Sequence, residues 1–326
     1  MTDQKGRQQA LALGDRAFAF DLYQALRGRE GNLFYAPYSI SVALAMTYAG
    51  AQGETEAQMA RVLHFTLPQE EIHPAFKALG RALAERREAA YGRGGFQLNV
   101  ANALWGQEGY FFLAEFLDLV AGDYGAGLRL LDFAADLETA RVTINDWVAG
   151  QTEGRIQHLI APGILDSMVR LVLTDAVYFK AAWAHPFPES GTKDQPFHLL
   201  DGSQVVVPMM RQAGSFGYAA GDGYQVVELP YESGGVSMVV LLPDRGWFEA
   251  FEAALDAGQV DALVGDITYR QVALTMPRFE FEASFSLAET LAGMGMPAAF
   301  ADEADFSGMT GNRVLYISAV IHQAFV

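Results

Sequence analysis

Val314-Leu315-Tyr316-Ile317-Ser318-Ala319-Val320-Ile321-His322-Gln323-Ala324-Phe325-Val326 is an apolar run with one imidazole set into it. The run reads as a strand, and it follows a turn-like Asp305-Phe306-Ser307-Gly308-Met309. His322 interrupts the pattern. Such a residue is either a satisfied core histidine or a member of a deliberate polar cluster. A second run, Val169-Arg170-Leu171-Val172-Leu173-Thr174-Asp175-Ala176-Val177-Tyr178-Phe179, is nearly continuous in β-formers and predicts a strand covered on both faces. Asp175 breaks it in the same way. A buried carboxylate is costly unless hydrogen-bonded, so donors are expected close by.

Working outward, the first third of the chain is helical in pattern. Phe18, Leu22, Tyr23, Ala25 and Leu26 predict a helix over 15–28, closed by Gly28 and Gly31. A second helix follows Pro37 over 39–48. Thr55-Glu56-Ala57-Gln58 has the form of a capping box opening a third, through Leu63. Further helices are predicted over 70–89, 113–120 and 137–148, with a strand over 96–104 between the first two. Beyond residue 169 strands dominate: 225–229 and 236–242 joined across Ser233-Gly234-Gly235, then 272–281. Ser286-Leu287-Ala288-Glu289 predicts a cap for a short helix ending near Gly293 or Gly295. Helices lead and strands follow without βαβ alternation, which makes the chain α+β. No long linker or internal repeat interrupts it, so a single domain over 1–326 is expected.

Composition narrows the function. Net charge is −17, from 22 Lys and Arg against 39 Asp and Glu, so the surface repels phosphate backbones and anionic lipids. Neither a nucleic-acid nor a membrane partner is expected. The absence of cysteine removes disulfides, thiol catalysis and cysteine-based metal sites. Met1-Thr2-Asp3-Gln4-Lys5-Gly6-Arg7 has no apolar h-region and does not read as a signal peptide; a secreted mature form and a cytoplasmic protein both fit. None of the six histidines stands in a zinc-binding arrangement, and no cofactor motif is present. Glu70, Glu71 and His73 read as a solvated face near a helix start. There is no Gly-x-Ser-x-Gly elbow, although a Ser/His hydrolase assembled from distant segments stays as an alternative.

Taken in order, these segments resemble a serpin from end to end. Asn32-Leu33-Phe34-Tyr35-Ala36-Pro37-Tyr38-Ser39-Ile40 is similar to the family's approach to helix B, and Gly50-Ala51-Gln52-Gly53-Glu54-Thr55 to the turn after it. Ile144-Asn145-Asp146-Trp147-Val148 with Gln151-Thr152-Glu153-Gly154-Arg155-Ile156 resembles the helix F segment. Leu171 to Trp183 resembles the central strand of sheet A. Val207-Pro208-Met209-Met210, Glu228-Leu229-Pro230-Tyr231, Met276-Pro277-Arg278-Phe279 and Ile321-His322-Gln323-Ala324-Phe325 complete the series.

The resemblance implies helices packed around three β-sheets, with a large central sheet A. It also implies irreversible, suicide-type inhibition of a serine protease of the chymotrypsin or subtilisin type. The protease cuts a reactive loop, is trapped as an acyl-enzyme, and the loop inserts into sheet A. By the same resemblance Ser39, Asn145, Asp175 and His322 control sheet opening, and Trp183 and Arg278 line the mouth where insertion begins. The reactive bond is expected beyond Val326, which makes a C-terminal fragment of the same protein a partner of an otherwise monomeric chain. No catalytic, metal or cofactor-binding residue is implied. A non-inhibitory serpin, chaperone or carrier, is the other reading of the same fold. Two residues depart from the family: Asp175 stands where Asn is usual, and Ala36 where Ser is usual. A carboxylate beside His322 favours imidazolium, which predicts a pH-dependent opening.

Overall fold

The structure, a computed structural model, describes residues 4–90, 97–125, 127–232 and 235–326. They form two compact units. One comprises Met1–Ala84, Leu98–Phe179 and Glu282–Val326; the other comprises Glu85–Gln97 and Lys180–Phe281. In chain order the first unit begins with helices α1 (Gln4–Leu26), α2 (Pro37–Tyr48), α3 (Gly53–Val62) and α4 (Gln69–Ala90), whose last turns belong to the second unit. Strand β1 (Gln97–Gln107), α5 (Ala114–Tyr124), β2 (Leu128–Leu131), α6 (Leu137–Gln151) and β3 (Leu171–Lys180) follow. The second unit supplies β4 (Lys193–His198), β5 (Gln204–Gly221), β6 (Tyr224–Pro230), β7 (Ser237–Pro243), α7 (Phe248–Ala254), α8 (Ala257–Gly265) and β8 (Thr268–Pro277). The chain then returns to the first with β9 (Glu282–Ser286), α9 (Ala288–Met294), α10 (Ser307–Thr310) and β10 (Ala319–Phe325).

In the first unit the strands lie in the order β2-β1-β3-β10-β9. Strand β10 runs parallel to β3 and antiparallel to β9. Alternation along the strands sends their side chains to two separate cores. Leu104, Leu171, Leu173 and Val320 join the core built with α1, α2, α3 and α9. Ala103, Trp105, Val172, Ala176, Ala319 and Ile321 join Ile144 and Val148 of α6 on the other face. Buried Trp105 donates its indole N–H to Thr174 Oγ1 at 2.9 Å and meets Trp147 of α6 edge to face. A strand with one face in each core tolerates few polar side chains, which is why β3 and β10 read as nearly continuous apolar runs interrupted at Asp175 and His322.

In the second unit β4, β5, β6 and β7 pair in sequence, and β8 pairs with β5 from Tyr218 back to Met209. Where the resemblance implies two smaller sheets, the described strands of this unit form a single five-stranded sheet, because the 18-residue β5 pairs with β4, β6 and β8. A small core of Phe216, Val227, Leu229 and Met276 holds this unit.

Several sequence expectations shift. Helix α1 begins eleven residues before the predicted start, because its glycines do not break it. At Gly14 an added Cβ would lie 2.4 Å from the His64 carbonyl oxygen, so the glycine is there for a close approach. Thr55 does not cap α3: its Oγ1 accepts the Asp305 N–H at 2.9 Å, and Gln58 Oε1 accepts the Ala298 N–H. The predicted box residues therefore tie α3 to the chain around residues 298–305. Ser286 ends β9, and α9 starts at Ala288 with no side-chain cap. The strand predicted over 272–281 occupies 268–277, ending at Pro277. Phe96 and the turn at Ser233-Gly234 lie outside the described residues.

His73 is also displaced from its expected place. It is only 2 % exposed and its Nδ1 lies 2.6 Å from the Tyr124 hydroxyl. Its ring packs on Tyr48 and Tyr124, so it belongs to the α2/α4/α5 interior and not to a solvated face. Among the described residues no helix is long and apolar enough to cross a membrane, and no group of His, Asp and Glu is placed to hold a metal ion.

Candidate functional site

Strands β3 and β10 meet along seven register pairs, from Ala319↔Val172 to Phe325↔Tyr178, and the pair His322↔Asp175 sits in the middle. Both side chains point to the α2 face. Both are withdrawn from solvent, His322 at 0 % and Asp175 at 1 % exposure. His322 Nδ1 is hydrogen-bonded to Asp175 Oδ1, and Ser39 of α2 contacts Asp175 Oδ2. The sequence placed these three together by resemblance alone, and the structure brings them into direct contact.

Two partners complete the cluster. The Ala36 N–H, just before α2, donates to His322 Nε2 at 3.2 Å. Asn102 of β1 lies 2.9 Å from Ser39 Oγ through its Oδ1, while its Nδ2 donates to the Ser39 carbonyl at 2.8 Å. Asn102 was not singled out from the sequence, and Ala36 only as a departure from the family's usual Ser. Asn102 left a signal: it is an amide on the same face of β1 as Leu104, in a strand otherwise apolar there. The contact of Ala36 left none, because its contribution is a backbone N–H.

The geometry fixes several hydrogen positions. A backbone N–H can only donate, so His322 Nε2 must be an acceptor and the ring proton sits on Nδ1. The Phe285 ring of β9 closes the outer side, nearly parallel to His322 with centroids 6.3 Å apart. The Arg29 guanidinium carbon lies 5.1 Å from the centroid of the Phe285 ring.

Ser39, Asp175 and His322 have the composition of a hydrolase triad but not its order. In a triad the imidazole lies between hydroxyl and carboxylate and takes the hydroxyl proton. Here the carboxyl group lies between the other two, and all three are shut off from solvent. The cluster can latch two strands and a helix together; it has no exposed nucleophile to offer a substrate.

The remaining expected residues lie elsewhere. Asn145 of α6 is on the opposite face of the sheet. Its Nδ2 donates to the Ile160 carbonyl at 3.0 Å and its Oδ1 accepts the Ile160 N–H at 2.9 Å. Arg141 adds a third bond to the same carbonyl. Asn145 therefore ties the segment after α6 to that helix and takes no part in the latch. In the second unit Trp183 stacks on Tyr231, with centroids 4.7 Å apart and planes at 15°, and forms an isolated antiparallel bridge with it. Arg278 follows β8 with its side chain exposed, and its N–H donates to the Pro208 carbonyl at 2.8 Å.

Comparison with known proteins gives these features their class. The chain belongs to the serpin (serine protease inhibitor) family, whose model matches residues 14–326. It is 38% identical to an uncharacterised serpin-like protein of Thermococcus kodakarensis over 322 residues, 99% of this chain and 74% of the other. It is likewise 38% identical to the human leukocyte elastase inhibitor over 334 residues, covering 98% of this chain and 85% of that one. Among solved structures, uncleaved ovalbumin superposes with a TM-score of 0.90 at 29% identity, over 97% of this chain and 88% of ovalbumin. Human thyroxine-binding globulin, solved in complex with its hormone, superposes with a TM-score of 0.88 at 30% identity, over 98% of this chain and 86% of that one. The fold is the serpin fold, α+β.

Proposed function

We propose that this protein is a suicide-type inhibitor of serine proteases, working by cleavage of a reactive loop and insertion of that loop between β3 and β10. The observation that carries the reading is the direct parallel pairing of these two strands through the Asp175/His322 latch. A third strand entering antiparallel to both would replace one parallel ladder by two antiparallel ones. Antiparallel pairing is slightly more stable per residue, and the inserted strand brings its own backbone groups into the sheet. Insertion is therefore downhill once the latch yields, and the uninserted state is held kinetically.

In this reading Ser39, Asp175 and His322 set the resistance to opening. Asn145 holds the segment after α6, and Trp183 and Arg278 serve the start of insertion. The relatives named as leukocyte elastase inhibitors support a serine protease of chymotrypsin type as target. The chain acts as a monomer and turns over no substrate of its own.

A second reading, a carrier, is favoured by the likeness to the thyroxine-binding structure. Incubation with chymotrypsin, trypsin and subtilisin separates the two. An inhibitor yields a 1:1 complex that survives boiling in SDS; a carrier is cut as a substrate and yields none.

A further inference from the structure

A cleft of about 380 Å³ opens in the first unit where the last turns of α1, α3 and α9 meet. That volume lies at the low end of the roughly 300–1,000 Å³ typical of small-molecule pockets. Val62 and Met294 give it an apolar floor. Gly295, the C-cap of α9, has its Cβ position 3.6 Å from Val62 Cγ2, so the ends of α3 and α9 abut at the cleft. Helix C-termini carry partial negative charge on carbonyls that have no intrahelical partner.

The walls carry opposite charges. Asp21 Oδ2 of α1 lies 2.6 Å from His64 Nε2, and Asp21 Oδ1 has no partner among the described residues. Arg61 stands one turn before His64, whose N–H donates to the Arg61 carbonyl at 3.3 Å. The Arg61 guanidinium reaches Glu54 only at 3.7 Å, and both side chains are largely exposed. Water screens such a pair to little value, so the guanidinium is available to another anion. His64 itself is held in place: its φ of +53° is uncommon for a non-glycine residue. Such conformations persist where the surroundings impose them, and they concentrate at ligand sites. Here Gly14 lets α1 press against the His64 carbonyl, 2.4 Å from where a Cβ would stand.

The geometry points to a binding site for a free α-amino acid with an apolar side chain, taken up as the zwitterion. The ammonium group goes to Asp21 and the carbonyl end of α9, where negative charge collects. The carboxylate goes to Arg61, whose planar guanidinium matches it with two parallel N–H donors. The apolar side chain covers Val62 and Met294. A simple cation would leave Arg61 unanswered, and a simple anion would meet Asp21, so neither suits both walls. The cleft shares no residue with the β3–β10 latch, and binding there is independent of protease inhibition. A ligand bridging α1, α3 and α9 also stabilises the folded chain by mass action.

Calorimetric titration at low ionic strength with L-leucine, 4-methylpentanoate and isoamylamine separates the two charges. The second ligand is leucine without its ammonium group, and the third is leucine without its carboxylate. L-leucine should bind saturably in the millimolar range, and each analogue roughly tenfold more weakly, because each forfeits one charge-assisted contact. Asp21→Asn should bring L-leucine down to the level of 4-methylpentanoate. Arg61→Ala should bring it down to the level of isoamylamine. Both side chains are largely exposed, so the variants should keep the urea midpoint of the parent. Were a variant to fail to fold, the three-ligand comparison on the parent still decides. No saturable binding of L-leucine, equal binding of all three ligands, or an affinity for L-leucine unchanged in either folded variant would overturn the proposal.

Discussion

Gly50 and Gly308 lie backbone to backbone, with the Gly308 N–H donating to the Gly50 carbonyl at 3.0 Å. A Cβ on Gly308 would come within 2.8 Å of that carbonyl oxygen, and one on Gly50 would overlap Met309 Cγ at 2.2 Å. The turn that introduces β10 is thereby pressed onto the end of α2, the helix that carries Ser39. Gly308→Ala must push two backbones apart and should cost about 1–3 kcal/mol. Gly28, with nothing within 4 Å of its Cβ position, supplies the control: Gly28→Ala should leave the denaturation midpoint within about 0.5 kcal/mol of the parent.

Asn145 satisfies both backbone groups of Ile160 with a single amide. Asn145→Leu keeps the size of the side chain and removes both bonds, leaving a buried N–H unpaired. A loss of about 2–4 kcal/mol is expected, together with faster proteolysis confined to the segment 152–170. Limited proteolysis followed by mass spectrometry reads this directly.

A buried group, His73, and a half-buried one, Asp15, should titrate against each other. Burial lowers His73 to about 4, with Asp123 pulling weakly upward. Burial raises Asp15 to about 6, more than the Ser41 hydroxyl offsets. Neutral His73 stabilises the fold above about pH 6.5, and that contribution is lost as pH falls toward 4. Neutral Asp15 stabilises it below about pH 4, and that contribution is lost as pH rises through 6. Over the shared window the folded chain carries its proton on Asp15 and the unfolded chain on His73, so the two slopes cancel. Asp15→Asn removes one side of the balance. Relative to the parent, its stability should fall by about 1.4 kcal/mol for each pH unit of acidification between about 6 and 4. Urea midpoints across that range check it; parallel pH profiles would show that the two groups do not oppose each other.

What the sequence disclosed about this fold depended on which physical signal a residue leaves. The unbroken runs of β3 and β10 were legible because a strand with a core on each face tolerates few polar side chains. For the same reason Asp175 and His322 stood out as anomalies. Asn145 was legible only as part of a resemblance, and its partner, the Ile160 backbone, has no side-chain signature. The Thr55 box misled because it serves a contact distant in sequence, Asp305, which local pattern rules do not contain. Strand β5 passed unnoticed because its pattern is mostly exposed, with Phe216 and Gly217 its only buried positions. His73 was misplaced by the acidic residues before it, since a helix that is solvated at Glu70 turns inward three residues later.

The separation of Asp175 and His322 after loop cleavage tests the central claim most directly. The two residues are now register partners on adjacent strands, which in a sheet lie about 4.8 Å apart. In a crystal structure of the loop-cleaved protein, insertion predicts a new strand between β3 and β10 and a spacing of about twice that. Cleaved protein in which Asp175 and His322 remain hydrogen-bonded neighbours would contradict the account.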